Sequence, residues 1–131
     1  MIPMPTILVV DDEPNYLIVL SELLRDESFE VSTAPGTDQA MGIVKEVDLD
    51  LVITDMQMPG KDGSVLMQEV KGYNGDLPVI IITAYAEIDK AVAAMQAGAY
   101  SYLAKPFSND ELIATINRAV SHYGLIKENI R

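Results

Sequence analysis

The 131-residue chain has no cysteine, no tryptophan and a single histidine, and its 9 Lys+Arg stand against 20 Asp+Glu. Without cysteine there is no disulfide framework, thiolate zinc site or thiol nucleophile. A net charge of −11 leaves too few cations for the basic stripe that a nucleic-acid backbone requires, so direct nucleic-acid binding is not expected. No apolar run approaches the roughly 20 residues of a membrane span. Met1-Ile2-Pro3-Met4-Pro5 lacks the basic start of a signal peptide, so no membrane partner and a cytoplasmic location are expected. Internal repeats and low-complexity stretches are also missing. What is present is an apolar fraction of 49%, too high for a disordered chain, in a length that suits one domain.

The apolar residues fall into short runs. Ile7-Leu8-Val9-Val10, Leu51-Val52-Ile53 and Val79-Ile80-Ile81-Ile82 are continuous, as in strands buried on both faces. Tyr100-Ser101-Tyr102-Leu103 is weaker, and Phe29-Glu30-Val31-Ser32-Thr33 alternates like an edge strand. Between them, helical spacing marks segments 14–26, 37–47, 63–71 and 87–97, and a last helix opens at Ser108-Asn109-Asp110-Glu111 with the pattern of a capping box. Strand and helix thus alternate five times. The expectation is an α/β fold: a doubly wound, five-stranded parallel sheet with five helices and right-handed crossovers. The most apolar strands belong in the centre, which fits the order 2-1-3-4-5 with its switch point between strands 1 and 3.

Ligands bind such sheets beyond the carboxyl ends of the strands. There strand 1 leads into Asp11-Asp12-Glu13, strand 3 into Thr54-Asp55, strand 4 into Thr83-Ala84 and strand 5 into Lys105-Pro106. Three carboxylates on one rim repel one another, and Lys105 offsets only part of the charge. Oxygen ligands without His or Cys suit Mg²⁺, or Mn²⁺ in its place. An ionised Asp can accept a phosphoryl group without a general base. On this reading Asp55 attacks, Asp12 and Asp55 hold the metal directly, and Asp11 holds it through water. Thr83 and Lys105 contact the new phosphoryl oxygens. Helix capping by the early acids would explain one Asp, but not acids on two strands with Thr and Lys on two more.

Val10-Asp11-Asp12-Glu13, Asp55-Met56-Gln57-Met58-Pro59-Gly60, Asp62-Gly63, Ile82-Thr83-Ala84 and Lys105-Pro106-Phe107 stand in one order across nearly the whole chain. In this the chain resembles the receiver domain of two-component response regulators, whose fold is flavodoxin-like. The resemblance implies that Asp55 takes its phosphoryl group from a histidine kinase and that Asp11 and Asp12 form the acidic pocket. It also implies that the Gln57 backbone carbonyl is the third protein ligand of Mg²⁺, and that Lys105-Pro106 is a cis peptide. Leu77–Ala84, Gly98–Phe107 and Ala119–Tyr123 are similar to the nitrogen-regulator-like branch, whose members usually continue into a sigma-54-activating ATPase and a DNA-binding domain. Neither domain lies in these 131 residues.

The resemblance further implies a switch. Phosphorylated Asp55 draws the Thr83 hydroxyl toward it, Tyr102 turns inward to fill the space, and the face of helix 4, strand 5 and helix 5 carries the signal to an output domain, with transcription the expected end. Packing is the expected role of Tyr100. Gln57 and Tyr85, each two residues past Asp55 and Thr83, would flank the path of the hydrolytic water and tune phosphoryl lifetime. His122 is expected to be a solvated helix residue, Met56, Met58, Met67 and Met95 to serve packing and loops, Lys61-Asp62-Gly63 to form a turn and helix start, and Glu27, Asp48 and Asp50 to be solvated.

The receiver is expected to span 1–123. Past Tyr123, a 4-3-4-3-4 spacing continues from Leu112, Ile116, Ala119 and Tyr123 to Ile126 and Ile130. It suggests that 124–131 extends the last helix as the start of a linker to an output domain, and pairs with a second chain, although Gly124 weakens the helix by about 1 kcal/mol. A homodimer could instead use the helix 4–strand 5–helix 5 face. The competing function is a small Mg²⁺-dependent aspartyl-phosphate phosphatase. Its family places the nucleophile on strand 1 as Asp-x-Asp, whereas here the strand-1 acids are adjacent and no cap domain is inserted. A flavin carrier of the same fold is disfavoured by the acidic rim, and a phosphate-independent pseudo-receiver by the complete set of Asp11, Asp12, Asp55, Thr83 and Lys105.

Overall fold

The computed structural model describes residues 4–129. Strand and helix alternate: β1 Thr6–Val10, α1 Pro14–Asp26, β2 Glu30–Ala34, α2 Thr37–Glu46, β3 Leu51–Asp55, α3 Gly63–Tyr73, β4 Val79–Ala84, a 3-10 turn Tyr85–Glu87, α4 Ile88–Gln96, β5 Ser101–Lys105 and α5 Asn109–Asn129. The five strands pair in parallel in the order β2-β1-β3-β4-β5. The expected order is therefore the observed one.

The continuous apolar runs have a simple cause. Successive side chains point to opposite faces, and both faces are covered. Ile7, Val9, Leu51, Ile53, Ile80, Ile82 and Leu103 face Leu20 and Leu24 of α1 and Leu112, Ile116 and Ala119 of α5. Leu8, Val10, Val52, Val79 and Ile81 face Ala40, Met41 and Val44 of α2, Leu66, Met67 and Val70 of α3, and Ala94 of α4. Each fully buried Leu, Ile or Val contributes about 1.5–3 kcal/mol relative to exposure. Of the methionines, Met56, Met58 and Met67 are buried packing residues, and Met95 is partly exposed on α4.

Three local departures from the sequence reading have physical reasons. Segment 87–97 is not one helix from its start, since residues 85–87 form a 3-10 turn and the first residue of α4 is Ile88. Phe29 precedes β2 rather than starting it. It lies in the core because the end of α1 closes with Phe29 N–H donating to Leu24 O at 3.1 Å and Ser28 N–H to Arg25 O at 3.0 Å. This paired closure needs a left-handed residue between helix and strand, and Ser28 takes φ 70° to supply it. The end of α4 solves the same problem with Gly98 at φ 123°. Asp50, finally, is not a solvated acid. Its Oδ2 accepts the Thr6 N–H at 2.9 Å and its Oδ1 pairs with Lys127 Nζ at 3.0 Å.

That last contact bears on the C-terminal segment. α5 runs past Tyr123 and through Gly124 to Asn129 without a break. Leu112, Ile116, Ala119 and Tyr123 are buried in the chain's own core. Lys127 reaches back over the Tyr123 ring at 4.7 Å, and Asn74 Nδ2 donates to the Tyr123 hydroxyl at 3.0 Å. Of the remaining seam positions, Ile126 is half-buried and Ile130 lies outside the described residues. His122 is exposed as expected, with its ring tilted against Tyr100 at 5.8 Å between centroids.

The strained Ser28 makes a stability prediction. A non-glycine residue in the left-handed region costs roughly 1 kcal/mol. Ser28→Gly is expected to raise the urea midpoint, with about 0.5–1 kcal/mol gained at unchanged slope. An unchanged or lowered midpoint would contradict this account of the α1–β2 connection.

Candidate functional site

The carboxyl ends of β1 and β3 bring three acids together at the switch point. Asp11, Asp12 and Asp55 each offer a carboxylate oxygen, and these oxygens lie within 4.8 Å of one another. Among the described residues this is the one such acidic or imidazole group of three or more. Asp11 is buried at 3% exposure, Asp55 is intermediate and Asp12 is exposed, so the cluster is open to solvent on one side.

Local geometry explains why these acids are free to act. Asp11 N–H donates to Ala34 O at 3.2 Å, which ties the rim to β2. The Asp11 carboxylate accepts the Glu13 N–H at 2.9 Å and tightens the loop. Capping of α1 falls to Glu13, whose side chain accepts the Asn15 N–H at 3.2 Å, with Pro14 occupying the first turn. Asp12 is left uncommitted. On the other side, Met56 N–H donates to Ile82 O at 2.8 Å, and Gly63 N–H to Met56 O at 2.9 Å. Gly63 is required there, because a Cβ would sit 2.4 Å from the Asp55 carbonyl oxygen. Asp62 caps α3 through the Ser64 and Val65 N–H groups, so Lys61-Asp62-Gly63 is the expected turn and helix start.

Lys105 ends β5, its peptide bond to Pro106 is cis as the resemblance implied, and its Nζ lies 3.7 Å from Asp55 Oδ1. Thr83, the penultimate residue of β4, is fully buried, with its hydroxyl donating to Ala84 O at 3.2 Å. Tyr102 pairs with Ile81 in the β4–β5 register. It therefore lies on the sheet face of Ile81 and Thr83, one register step from Thr83, and packs half-buried against the α2–α3–α4 core. Gln57 is exposed in the loop after β3, and Tyr85 is 78% exposed at the turn before α4. Asp11, Asp12, Asp55 and Lys105 thus meet directly at the rim, with Thr83 near the end of the neighbouring strand, Gln57 and Tyr85 in the segments after β3 and β4, and Tyr102 within β5.

The electrostatics show a charge deficit. Burial pushes the Asp11 carboxyl above its usual range, with the Glu13 N–H opposing and Asp55 adding to the rise. Burial also pushes Asp55 up, against Lys105 and the Met56 and Gln57 N–H groups, with Asp12 on the side of the rise. The one ammonium does not balance three carboxylates. The donor set is hard oxygen only, of the kind that binds a hard divalent cation, so the residues fit such an ion. The sequence reading missed one neighbour. Tyr16, in the first turn of α1, places its ring 4.7 Å under Lys105 Nζ. Burial, then the charges of Asp11 and Asp55, push its hydroxyl up to about 12. A Tyr four residues past an acidic pair carries no signal in one dimension.

A parallel sheet of this order with an acidic, lysine-flanked rim defines a receiver-type signalling domain. The model described as the response regulator receiver domain matches residues 7–117, and the chain belongs to that family. It is 40% identical over 116 residues to the transcriptional regulatory protein ZraR of Escherichia coli, covering 88% of this chain and 26% of that protein. It is 38% identical over 115 residues to the DNA-binding transcriptional regulator NtrC of Salmonella typhimurium, covering 88% and 24%. The chain thus spans about a quarter of the curated relatives it matches. Among solved structures, a receiver domain protein from Clostridium thermocellum superposes with a TM-score of 0.91 at 36% identity, covering 94% of this chain and 99% of that one. NtrX from Brucella abortus, in complex with ADP, gives 0.90 at 35% identity, covering 95% and 29%. These relatives place the chain in the NtrC-like branch. Among the described residues, no helix is long and apolar enough to cross a membrane.

The charge deficit predicts a pH effect. A carboxyl whose folded pKa is raised favours the fold while protonated, and that contribution is lost as pH rises through the folded value. In the presence of a chelator, Asp11→Asn, which keeps the acceptor for the Glu13 N–H, is expected to be more stable than the wild type at pH 7 by on the order of 1 kcal/mol. The difference should shrink toward zero below about pH 4, the unfolded Asp value. Urea unfolding at both pH values checks it, and equal stability at pH 7 contradicts the charge crowding.

Proposed function

We propose that this domain, residues 1–123, is the phosphoryl-accepting input module of a transcription regulator. The observation that supports it most is the meeting of Asp11, Asp12 and Asp55 within 4.8 Å, with Lys105 3.7 Å from Asp55. Asp55 Oδ attacks phosphorus, the P–N bond of a histidine kinase's phosphohistidine breaks, and the imidazole leaves. Asp12, Asp55 and the Gln57 carbonyl would hold Mg²⁺, or Mn²⁺, directly, and Asp11 would hold it through water. The cation, when bound, supplies the positive charge that a transferring phosphoryl group requires. Lys105 and Thr83 contact the acquired oxygens. Slow hydrolysis returns phosphate and a free carboxylate, with Gln57 and Tyr85 flanking the water's path. The domain acts on itself and turns over no external substrate.

Thr83 and Tyr102 carry the readout. The Thr83 hydroxyl leaves Ala84 O for the phosphoryl group, and Tyr102, one register step away on the same face, follows inward. The surface that changes is α4–β5–α5, which faces an output domain of the kind that the names of the relatives suggest: a DNA-binding regulator, with nucleotide bound in NtrX. The module itself touches no DNA and no membrane and works in the cytoplasm. The phosphatase reading is not favoured, since the chain belongs to the receiver family.

Incubation with Mg²⁺ and acetyl phosphate, followed by intact-mass measurement, is expected to show one base-labile phosphoryl group per chain, absent in Asp55→Asn. Phosphate release without an adduct would instead identify a phosphatase. Residues 124–131 we assign to the start of a linker, with chain pairing through this end of α5 or through α4–β5–α5. Sedimentation of the chain with and without 124–131 is expected to show weaker self-association in the shorter form. Two identical monomers would remove the tail from the pairing surface.

A further inference from the structure

We propose that Tyr16 is a positioning residue for phosphoryl acceptance: its ring face holds the Lys105 ammonium beside Asp55. This inference rests on the receiver chemistry proposed above.

The Lys105 ammonium is anchored by two groups of different kinds. On one side Asp55 Oδ1 lies at 3.7 Å, too far for a tight ion pair. On the other, the Tyr16 ring centroid lies at 4.7 Å, within the roughly 6 Å reach of a cation–π contact. Lys105 keeps 39% of its side-chain surface exposed, so the long stem has room to wander if the ring is removed. The ring is held by packing, half-buried against the core. Tyr16 sits in the first helical turn set by Glu13 and Pro14, and with Leu20 and Leu23 it lines an apolar cleft closed by Pro106 and Phe107. The loop that carries Asp11 and Asp12 therefore leads directly into the helical turn that carries the support for Lys105. The ring holds the ammonium through its π face, which adds no negative charge to a rim that already has too much, whereas a carboxylate in its place would compete with the incoming phosphoryl group for Lys105.

The ring face, not the hydroxyl, is the active part, and this separates the variants. Tyr16→Phe keeps the face and is expected to accept phosphoryl from acetyl phosphate within about twofold of the wild-type rate. Tyr16→Leu keeps apolar packing but loses the face, and a roughly three- to tenfold slower rate is expected. A structural role would slow Lys105→Ala by the same further factor when Tyr16→Leu is added. A positioning role predicts no further loss in that background, because the group being positioned is gone. The contact has its own readout in the unphosphorylated chain. The Lys105 ε-CH₂ protons should be shifted upfield by the ring in the wild type and Tyr16→Phe, and return to ordinary values in Tyr16→Leu.

Full-rate Tyr16→Leu, an equal loss in the Lys105→Ala background, or unshifted Lys105 protons in the wild type each overturn the inference while leaving the receiver chemistry standing. A wild-type chain that shows the proton shift but takes no phosphoryl group overturns the receiver chemistry, and the inference with it.

Discussion

Everything in this domain is arranged around three carboxylates that would separate if they could. The carboxylate oxygens of Asp11, Asp12 and Asp55 lie within 4.8 Å of one another at the rim of a sheet buried on both faces. Burial and mutual repulsion push Asp11 and Asp55 above the ordinary range, and a single lysine offsets part of the charge. The fold thus carries an electrostatic cost at its switch point, and a divalent cation of the kind proposed for the site would offset it.

The scaffold is pinned by hydrogen bonds where the acids are and less tightly tied beside them. β1, β3 and β4 are sealed on both faces, and the loops after β1 and β3 are pinned by the Asp11–Glu13, Met56–Ile82 and Gly63–Met56 hydrogen bonds. Thr83 and Tyr102 differ. Thr83 satisfies its hydroxyl on a neighbouring carbonyl, and Tyr102 is half-buried at the sheet's edge strand. These are the two groups to which the proposed function assigns the readout. At the opposite end, Asp50 accepts from the start of β1 and pairs with Lys127 of α5, so one carboxylate contacts both elements.

The strand order, the two-faced core and the convergence of Asp11, Asp12, Asp55, Thr83 and Lys105 were legible in the chain because each depends on pattern. A parallel strand buried on both sides must be continuously apolar, and a switch-point ligand must meet the residues just past the strands. Connections were less legible. Ser28 adopts the left-handed conformation that glycine usually takes, and Glu13, not an Asp, caps α1. Asp50 reads as one acid among many until β1 and α5 are placed beside it.

The sequence by itself determined the class of fold and the chemistry at its rim, because periodicity and residue type act locally and repeat. Only the tertiary structure decided which cation meets which ring, which acid ties the last helix down, and which faces Thr83 and Tyr102 share. Lys105 and Tyr16 are separated by most of the chain, and the contact of 4.7 Å between them exists only once the parallel sheet has brought the end of β5 to the same rim as the start of α1. No local rule encodes such a pair, because its energy depends on distance in space and not on spacing along the chain.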